Sequence, residues 1–367
     1  MTAASLAELP TPSLVVDVER CEANIRRAAE TFSSHGIGLR PHVKTSKCLE
    51  VVSRQRAAGT LGFTCSTPAE VEAFGSAGFT GLLWAHQPVG SQKVAFAVDA
   101  ALRWDVTLIA DSQDVAGPLS QEAVRRGTVV DLMLDVDTGQ HRTGVDPGRA
   151  VEVGRAIAGL PGVRLAGVLT HEGHLGAYLA DRAGLEAAGR GVGARLAGVA
   201  AGLREAGLPC DIVSVGSTPG MTSSPYADGV TEGRPGTYVY FDANQVRLGS
   251  APFDQCALSV LARVVSRQGD GHAILDAGLK AMSSDSISAE VGAGVVCDLD
   301  AVPLPDVTFP TANEEHGFLA GAGVNRLSVG DLVRVIPNHA CGTTNMWSRL
   351  HAVSPDGVEV WPIVARH

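Results

Sequence analysis

What the sequence lacks narrows its chemistry first. No apolar run approaches the roughly 20 residues needed to span a bilayer as a helix. There is no long block of basic residues, and 29 lysines and arginines against 39 acidic side chains leave a formal charge of -10. Extended contact with a nucleic-acid backbone is therefore disfavoured, although a local arginine can still meet a small anion. No Gly-x-Gly-x-x-Gly follows an early strand, so the dinucleotide fingerprint of a doubly wound sheet is missing. The seven cysteines are scattered and odd in number, which argues for reduced thiols and against a disulfide framework. The N-terminus has no basic segment leading into an apolar one, so it reads as mature protein with a cytoplasmic location expected. No solenoid repeat or low-complexity linker is evident.

What is present is a chain of 367 residues, 45% of them hydrophobic, with a mean hydropathy of +0.13. It can bury a substantial core, and two domains are expected. After a short strand at Leu14–Val18, brief apolar runs recur at 38–41, 62–65, 81–85, 107–110, 129–136, 165–170, 212–215 and 236–240. These runs are continuous, as buried parallel strands should be, and Ala-rich amphipathic stretches such as 69–75 and 185–203 lie between them. About eight such units predict an α/β barrel of the TIM type over residues 18–250. From about 251 the texture becomes β-like, with strands expected at 258–265, 331–336 and 357–360. Residues 1–17 and 251–367 are accordingly expected to form a mostly β domain.

Lys44 follows the first barrel strand and would stand at the C-terminal mouth, where chemistry sits in this fold. A lysine amine can bond covalently to a carbonyl cofactor, which arginine cannot do. Taken alone, Lys44 and Lys47 also read as ordinary loop charges. His339 and Cys341, one residue apart in a polar turn, offer soft ligands to a borderline divalent ion. No neighbouring Cys-x-x-Cys or second His/Cys pair completes a structural zinc site, so a bound metal would keep open positions for water or substrate. A buried cysteine beside a loop histidine is the plainer reading. His316 could add a ligand or a base, or be a solvated turn residue.

The segments 216–220, with Ser217 and Thr218, and 234–238, with Gly236, Thr237 and Tyr238, follow one another as late barrel loops, the usual phosphate-binding place. Arg142, after the cleanest apolar strand, could aim its donor fork at a phenolate or carboxylate, or simply pair with Asp135 or Asp137. His171 and His174 end another strand and would flank the same mouth.

These segments together carry a family resemblance. The runs 11–17, 40–45, 137–144, 234–238, 276–280, 314–317 and 337–341 occur in the order found in the fold-type III pyridoxal-phosphate enzymes, and the chain resembles the D-serine dehydratase and D-threonine aldolase family throughout its length. The N-terminal barrel is similar to that of alanine racemase. The resemblance implies that Lys44 bonds pyridoxal 5'-phosphate and that Arg142 lies near its 3′-oxygen. His171 would lie near the ring, and Ser217, Thr218, Gly236 and Thr237 around the phosphate with Tyr238 close by. It implies that His339 and Cys341 hold a divalent metal. The His-Ala-Cys pair resembles the zinc pair of the dehydratases, whereas the aldolases place an aspartate second. A thiolate favours Zn²⁺, with Mn²⁺ as the alternative. Two departures are His171, where many relatives have tyrosine, and Ser46, where a histidine is common.

The expected activity is elimination of water from a D-β-hydroxy amino acid (D-serine, D-threonine or 3-hydroxy-D-aspartate) to a 2-oxo acid and ammonia. Lys44 would act as base. The alternatives are aldol cleavage to glycine and an aldehyde, with His174 as base, racemisation or epimerisation, and a non-catalytic cofactor-binding protein. The resemblance further implies a homodimer whose active site lies at the subunit interface. No nucleic acid or membrane partner is expected.

Overall fold

The computed structural model describes residues 6–285 and 292–366. Within them the chain forms two compact units. One comprises residues through Arg27, Thr45–Val52 and Thr237–Arg366; the other comprises Ala28–Lys44 and Ser53–Gly236.

The first strand, β1 (Ser13–Asp17), is buried throughout and leads directly into α1 (Val18–Ser34). The second unit contains β2 (Gly38–Leu39), β3 (Phe63–Cys65), β4 (Leu82–Trp84), β5 (Leu108–Ala110), β6 (Val130–Asp135), β7 (Val163–Leu169), β8 (Ile212–Val215) and β9 (Glu232–Gly233). Six of these form one parallel sheet in the order β2-β9-β8-β7-β6-β5, and β3 pairs with β4. Parallel bridges His42↔Thr64 and Leu83↔Thr107 join the two sheets into the closed eight-stranded barrel expected from the apolar runs. Helices between the strands include α2 (Leu49–Ala57), α3 (Pro68–Ser76), α4 (Ser91–Trp104), α5 (Gln113–Arg125), α6 (Ala150–Ala158) and α7 (Arg182–Glu205). Thr67 caps α3 by accepting Glu70 N–H on its hydroxyl, with Pro68 at the first helical position.

One expected strand is corrected. Residues 236–240 are β-branched and aromatic in pattern, yet Thr237–Val239 is a 3₁₀ turn, and the eighth barrel position belongs to Glu232–Gly233. Neighbouring strands decide this: Glu232 and Gly233 pair with Gly38 and Leu39 on one side and with Ser214 and Val215 on the other. Close strand approach also dictates Gly167, since a Cβ there would stand 2.0 Å from the Ile212 carbonyl oxygen.

Alternation along the strands sets what faces inward. Leu83, Ile109, Met133 and Leu169 form one buried cluster. Two residues beyond the last three, on the same side of each strand, come Asp111, Asp135 and His171. On the β2–β9–β8 side Arg40 meets Glu232 with Nε–Oε1 3.0 Å and Nη2–Oε2 2.9 Å, and Ser214 Oγ donates to Glu232 Oε1 at 2.7 Å.

The first unit is a mostly β domain. Its long central strand β10 (Leu258–Arg267) pairs antiparallel with β1, with β11 (His272–Leu275) and, over Val260–Arg263, with a strand near the C-terminus. The remaining strands are β12 (Gly294–Cys297), β13 (Thr308–Ala312), β14 (Gly317–Ala320), β15 (Leu332–Pro337), β16 (Arg349–Ser354) and β17 (Gly357–Pro362), and it is β15 that meets β10. β1 lies between β10 and β16, so the N-terminal strand belongs to a sheet otherwise built from the C-terminal third. Leu6, Val15, Leu261 and Val353 pack together there.

Candidate active site

Each barrel residue singled out by the sequence lies past the C-terminal end of a strand. Lys44 follows β2 and its bridge residue His42, Arg142 lies beyond β6, His171 beyond β7, Ser217 and Thr218 beyond β8, and Gly236 beyond β9. The loop carrying Arg142 is shaped by Asp137, whose Oδ1 accepts the N–H groups of Gly139, Gln140 and His141 at 2.9, 3.0 and 3.1 Å. Thr143 Oγ1 and Gln87 Nε2 both donate to Asp135 at 2.9 Å, fixing the end of that loop. Arg142 itself is exposed.

The mouth holds two neutral imidazoles among cations. Burial, and after it the charges of Lys44, His171, Arg234 and Arg142, hold His42 well below the usual histidine range. His171 is driven down to about 3 by burial and then by Lys44, Arg142 and Arg234. Its Nδ1 lies 2.9 Å from Gly216 O, and a carbonyl only accepts, so the proton of the neutral ring resides on Nδ1 and Nε2 is left as an acceptor. Arg234 lies beneath: its Nη1 donates to Ser214 Oγ, and its Nη2 to Thr170 O at 2.6 Å. Burial brings Arg234 down to about 10, still cationic at neutral pH.

The turn after β8 rests on this layer. A Cβ at Gly216 would meet Arg234 Cβ at 2.9 Å. The N–H groups of Ser217 and Thr218 have no backbone partner among the described residues, and the buried Thr218 Oγ1 has no hydrogen-bond partner. Behind the turn lies Glu172, fully buried, which accepts hydroxyls from Ser217 and Ser224. His174 stands in the short 3₁₀ segment Gly173–Ala177, with its Nε2 3.5 Å from where a Cβ on Gly139 would lie. Burial lowers its proton affinity, and its Nδ1 has no partner among the described residues.

In the other unit, His339 and Cys341 flank the start of α8 (Ala340–Asn345). Asp242 holds the turn: its Oδ2 accepts Ala340 N–H at 2.9 Å while its Oδ1 accepts Gln245 N–H at 2.9 Å. Asp285 hydrogen-bonds His339 Nδ1. The Cys341 thiol is the largest influence raising the proton affinity of His339, and Asp285 adds to it. The same basicity is what a cation would use. Cys341 Sγ lies 3.1 Å from Thr45 Oγ1 and 3.7 Å from Thr237 Oγ1. Thr45 directly follows Lys44, and Thr237 directly follows Gly236. Tyr238 is buried in the same 3₁₀ turn as Thr237. Among the described residues no group of three or more His, Cys, Asp or Glu side chains is arranged to hold a metal, and His316 lies on the exposed β13–β14 turn.

Sequence reasoning passed over His42, Arg234, Glu172, Thr45, Asp242 and Asp285. His42 and Thr45 flank Lys44 within three residues, and Arg234 opens the Arg-Pro-Gly-Thr-Tyr run, so position alone could have flagged them. Nothing local marks Glu172, Asp242 or Asp285.

A parallel eight-stranded barrel with a lysine at its mouth, in a chain that also carries a mostly β domain, defines an enzyme of the alanine racemase type. Residues 16–244 match the family model "Alanine racemase, N-terminal domain", and residues 257–353 match "Putative serine dehydratase domain". The chain belongs to the D-serine dehydratase and D-threonine aldolase family of fold-type III pyridoxal-phosphate enzymes. It is 39% identical to a D-threo-3-hydroxyaspartate dehydratase of Delftia sp. (strain HT23), covering 97% of this chain and 98% of that one. It is 32% identical to a D-threonine aldolase of Arthrobacter sp., covering 98% and 94%. Among solved structures, a cysteine-to-alanine variant of a D-threo-3-hydroxyaspartate dehydratase, described as a metal-free form, superposes with a TM-score of 0.92 at 38% identity, covering 98% of each chain.

Proposed function

We propose that the protein is a pyridoxal-phosphate- and Zn²⁺-dependent ammonia-lyase that eliminates water from a D-β-hydroxy amino acid, with 3-hydroxy-D-aspartate as the leading substrate ahead of D-serine and D-threonine. The observation that carries this reading is the 3.1 Å contact between the Cys341 thiol and the hydroxyl of Thr45, the residue after Lys44. Thr45 lies in the same unit as the soft-ligand turn and follows Lys44 directly in the chain. Similarity to the Delftia dehydratase supports the same reaction class.

The residues suit both bound groups. The buried Thr218 hydroxyl, without a hydrogen-bond partner among the described residues, and the glycine that seats the turn on Arg234 suit a phosphate. A thiol beside an imidazole suits a borderline divalent ion over Mg²⁺, and the two-ligand set leaves the remaining positions for water and substrate. Lys44 would hold the cofactor covalently and its Nζ would take the substrate's α-proton. When bound, pyridoxal phosphate supplies an electron sink for the charge left at Cα. A cation held by His339 and Cys341 supplies Lewis acidity at the β-hydroxyl, needed because hydroxide leaves poorly at neutral pH. Neutral His171 presents Nε2 only as an acceptor, and Arg142 and Arg234 keep the mouth positive for an amino-acid carboxylate.

The aldol-cleavage reading would use His174, whose lowered proton affinity suits a base. The thiol in place of the aldolases' aspartate argues for elimination. We further infer a homodimer that completes the active site at the subunit interface, and a cytoplasmic setting; no described helix is long and apolar enough to cross a membrane. Purified enzyme with cofactor and Zn²⁺ is to be offered D-serine, D-threonine and threo-3-hydroxy-D-aspartate, each against its L form. Ammonia with an oxo acid is the expected product pair; glycine with an aldehyde would make the protein an aldolase, and inversion without loss a racemase.

A further inference from the structure

The turn after β8 presents two adjacent hydroxyls, and their hydrogen bonds give them different duties. Ser217 Oγ donates its one proton to Glu172 Oε1 at 3.0 Å and accepts Gly220 N–H at 3.0 Å. Its donor is spent on closing the turn. Thr218, 4% exposed, keeps an Oγ1 with no hydrogen-bond partner among the described residues. Buried polar groups in a native fold are rarely left unpaired, so this hydroxyl awaits something.

Glu172 makes the distinction. Its Oε1 also accepts Ser224 Oγ at 2.9 Å, and Gly220 packs so tightly that a Cβ there would stand 2.3 Å from the same oxygen. A larger residue at 220 would have to displace the Glu172 carboxylate. The residues ending β7 hold the start of the turn as well, through His171 Nδ1 at 2.9 Å from Gly216 O and Glu172 N at 3.4 Å from it. One carboxylate oxygen thus holds both sides of the turn, at Ser217 and at Ser224, while the buried Oε2 has no hydrogen-bond partner among the described residues.

We propose that Glu172 is the positioning residue of the cofactor's phosphate turn: by accepting the Ser217 proton it makes Ser217 a scaffold and leaves Thr218 as the turn's side-chain donor to the phosphate. This rests on the pyridoxal-phosphate reading above. Because Glu172 accepts the Ser217 proton, removing Glu172 already removes what the loss of the Ser217 hydroxyl removes, together with the bond from Ser224. Because Thr218 acts on the phosphate alone, its loss is invisible to a cofactor without one.

The test titrates cofactor-free enzyme with pyridoxal phosphate and with pyridoxal, following binding spectroscopically. Thr218→Val should weaken pyridoxal phosphate roughly 10- to 100-fold, the worth of a hydrogen bond to a charged group, and leave pyridoxal unchanged. Glu172→Ala and Ser217→Ala should each weaken pyridoxal phosphate, and the double variant should be no worse than the weaker single one. Glu172→Gln, whose amide oxygen still accepts, should stay near wild type and serves as the folding control. Wild-type affinity in Thr218→Val, multiplicative losses for Glu172→Ala with Ser217→Ala, or equal losses with pyridoxal would each overturn the assignment. Failure of the wild type to bind either compound at Lys44 would instead overturn the cofactor reading.

Discussion

Replacing Glu172 by glutamine should flatten the dependence of stability on pH. Burial pushes the Glu172 carboxyl from its ordinary 4.5 up to about 7, against the pull of Ser224, Ser217 and Arg234. Between those values the folded protein holds a proton that the unfolded chain has released, so this group's contribution falls as pH rises. Below 4.5 both states are protonated and the penalty vanishes; above about 7 it is complete. At about 1.4 kcal/mol for each pH unit of separation, the full penalty is ~3 kcal/mol. The residue is fully buried, so solvent screening takes little from that figure. Urea denaturation of cofactor-free protein at about pH 5 and about pH 8 should show wild type losing ~2 kcal/mol or more relative to Glu172→Gln across that interval. Parallel behaviour of the two proteins, or a wild type gaining on the variant with rising pH, would refute the reasoning.

Further perturbations test other parts of the molecule. Glu232→Ala strips Arg40 of a nearly buried carboxylate and Ser214 of its acceptor, and should cost ~3–5 kcal/mol, read from the denaturant midpoint; a loss typical of a surface pair would contradict the barrel's polar layer. Lys44→Ala should leave no borohydride-trapped cofactor adduct, and mass spectrometry locating an adduct on another side chain would end its assignment. Cys341→Ala should lose bound Zn²⁺ and turnover while keeping the visible absorbance of the lysine-bound cofactor; full turnover after metal removal would sink the metal's role. Thr45→Val, which removes the hydroxyl 3.1 Å from Cys341 Sγ, should weaken Zn²⁺ roughly 10-fold or more, with Thr45→Ser restoring it; equal loss in both variants would show that the hydroxyl is not what matters.

The barrel was legible because buried parallel strands are short continuous apolar runs, and the segment after each one is then a loop at the mouth. That reasoning located Lys44, Arg142, His171, Ser217 and Thr218 at strand ends without knowledge of any contact. It failed at residues 236–240, where β-branched and aromatic residues imitate a strand. The strand slot went to Glu232–Gly233, because Glu232 finds its partners Arg40 and Ser214 192 and 18 residues away. No local pattern announces such a choice.

Composition and spacing by themselves determined the fold class, the lysine past the first barrel strand and the thiol–imidazole pair near the C-terminus. Only tertiary structure decided which hydroxyl of Ser217 and Thr218 is spent, which nitrogen of His171 carries the proton, and that Thr45 meets Cys341 across 296 residues of chain. The physical reason is that residue type sets what a group can donate or accept, whereas its partner is chosen by whichever distant segment the packed core brings within about 3 Å.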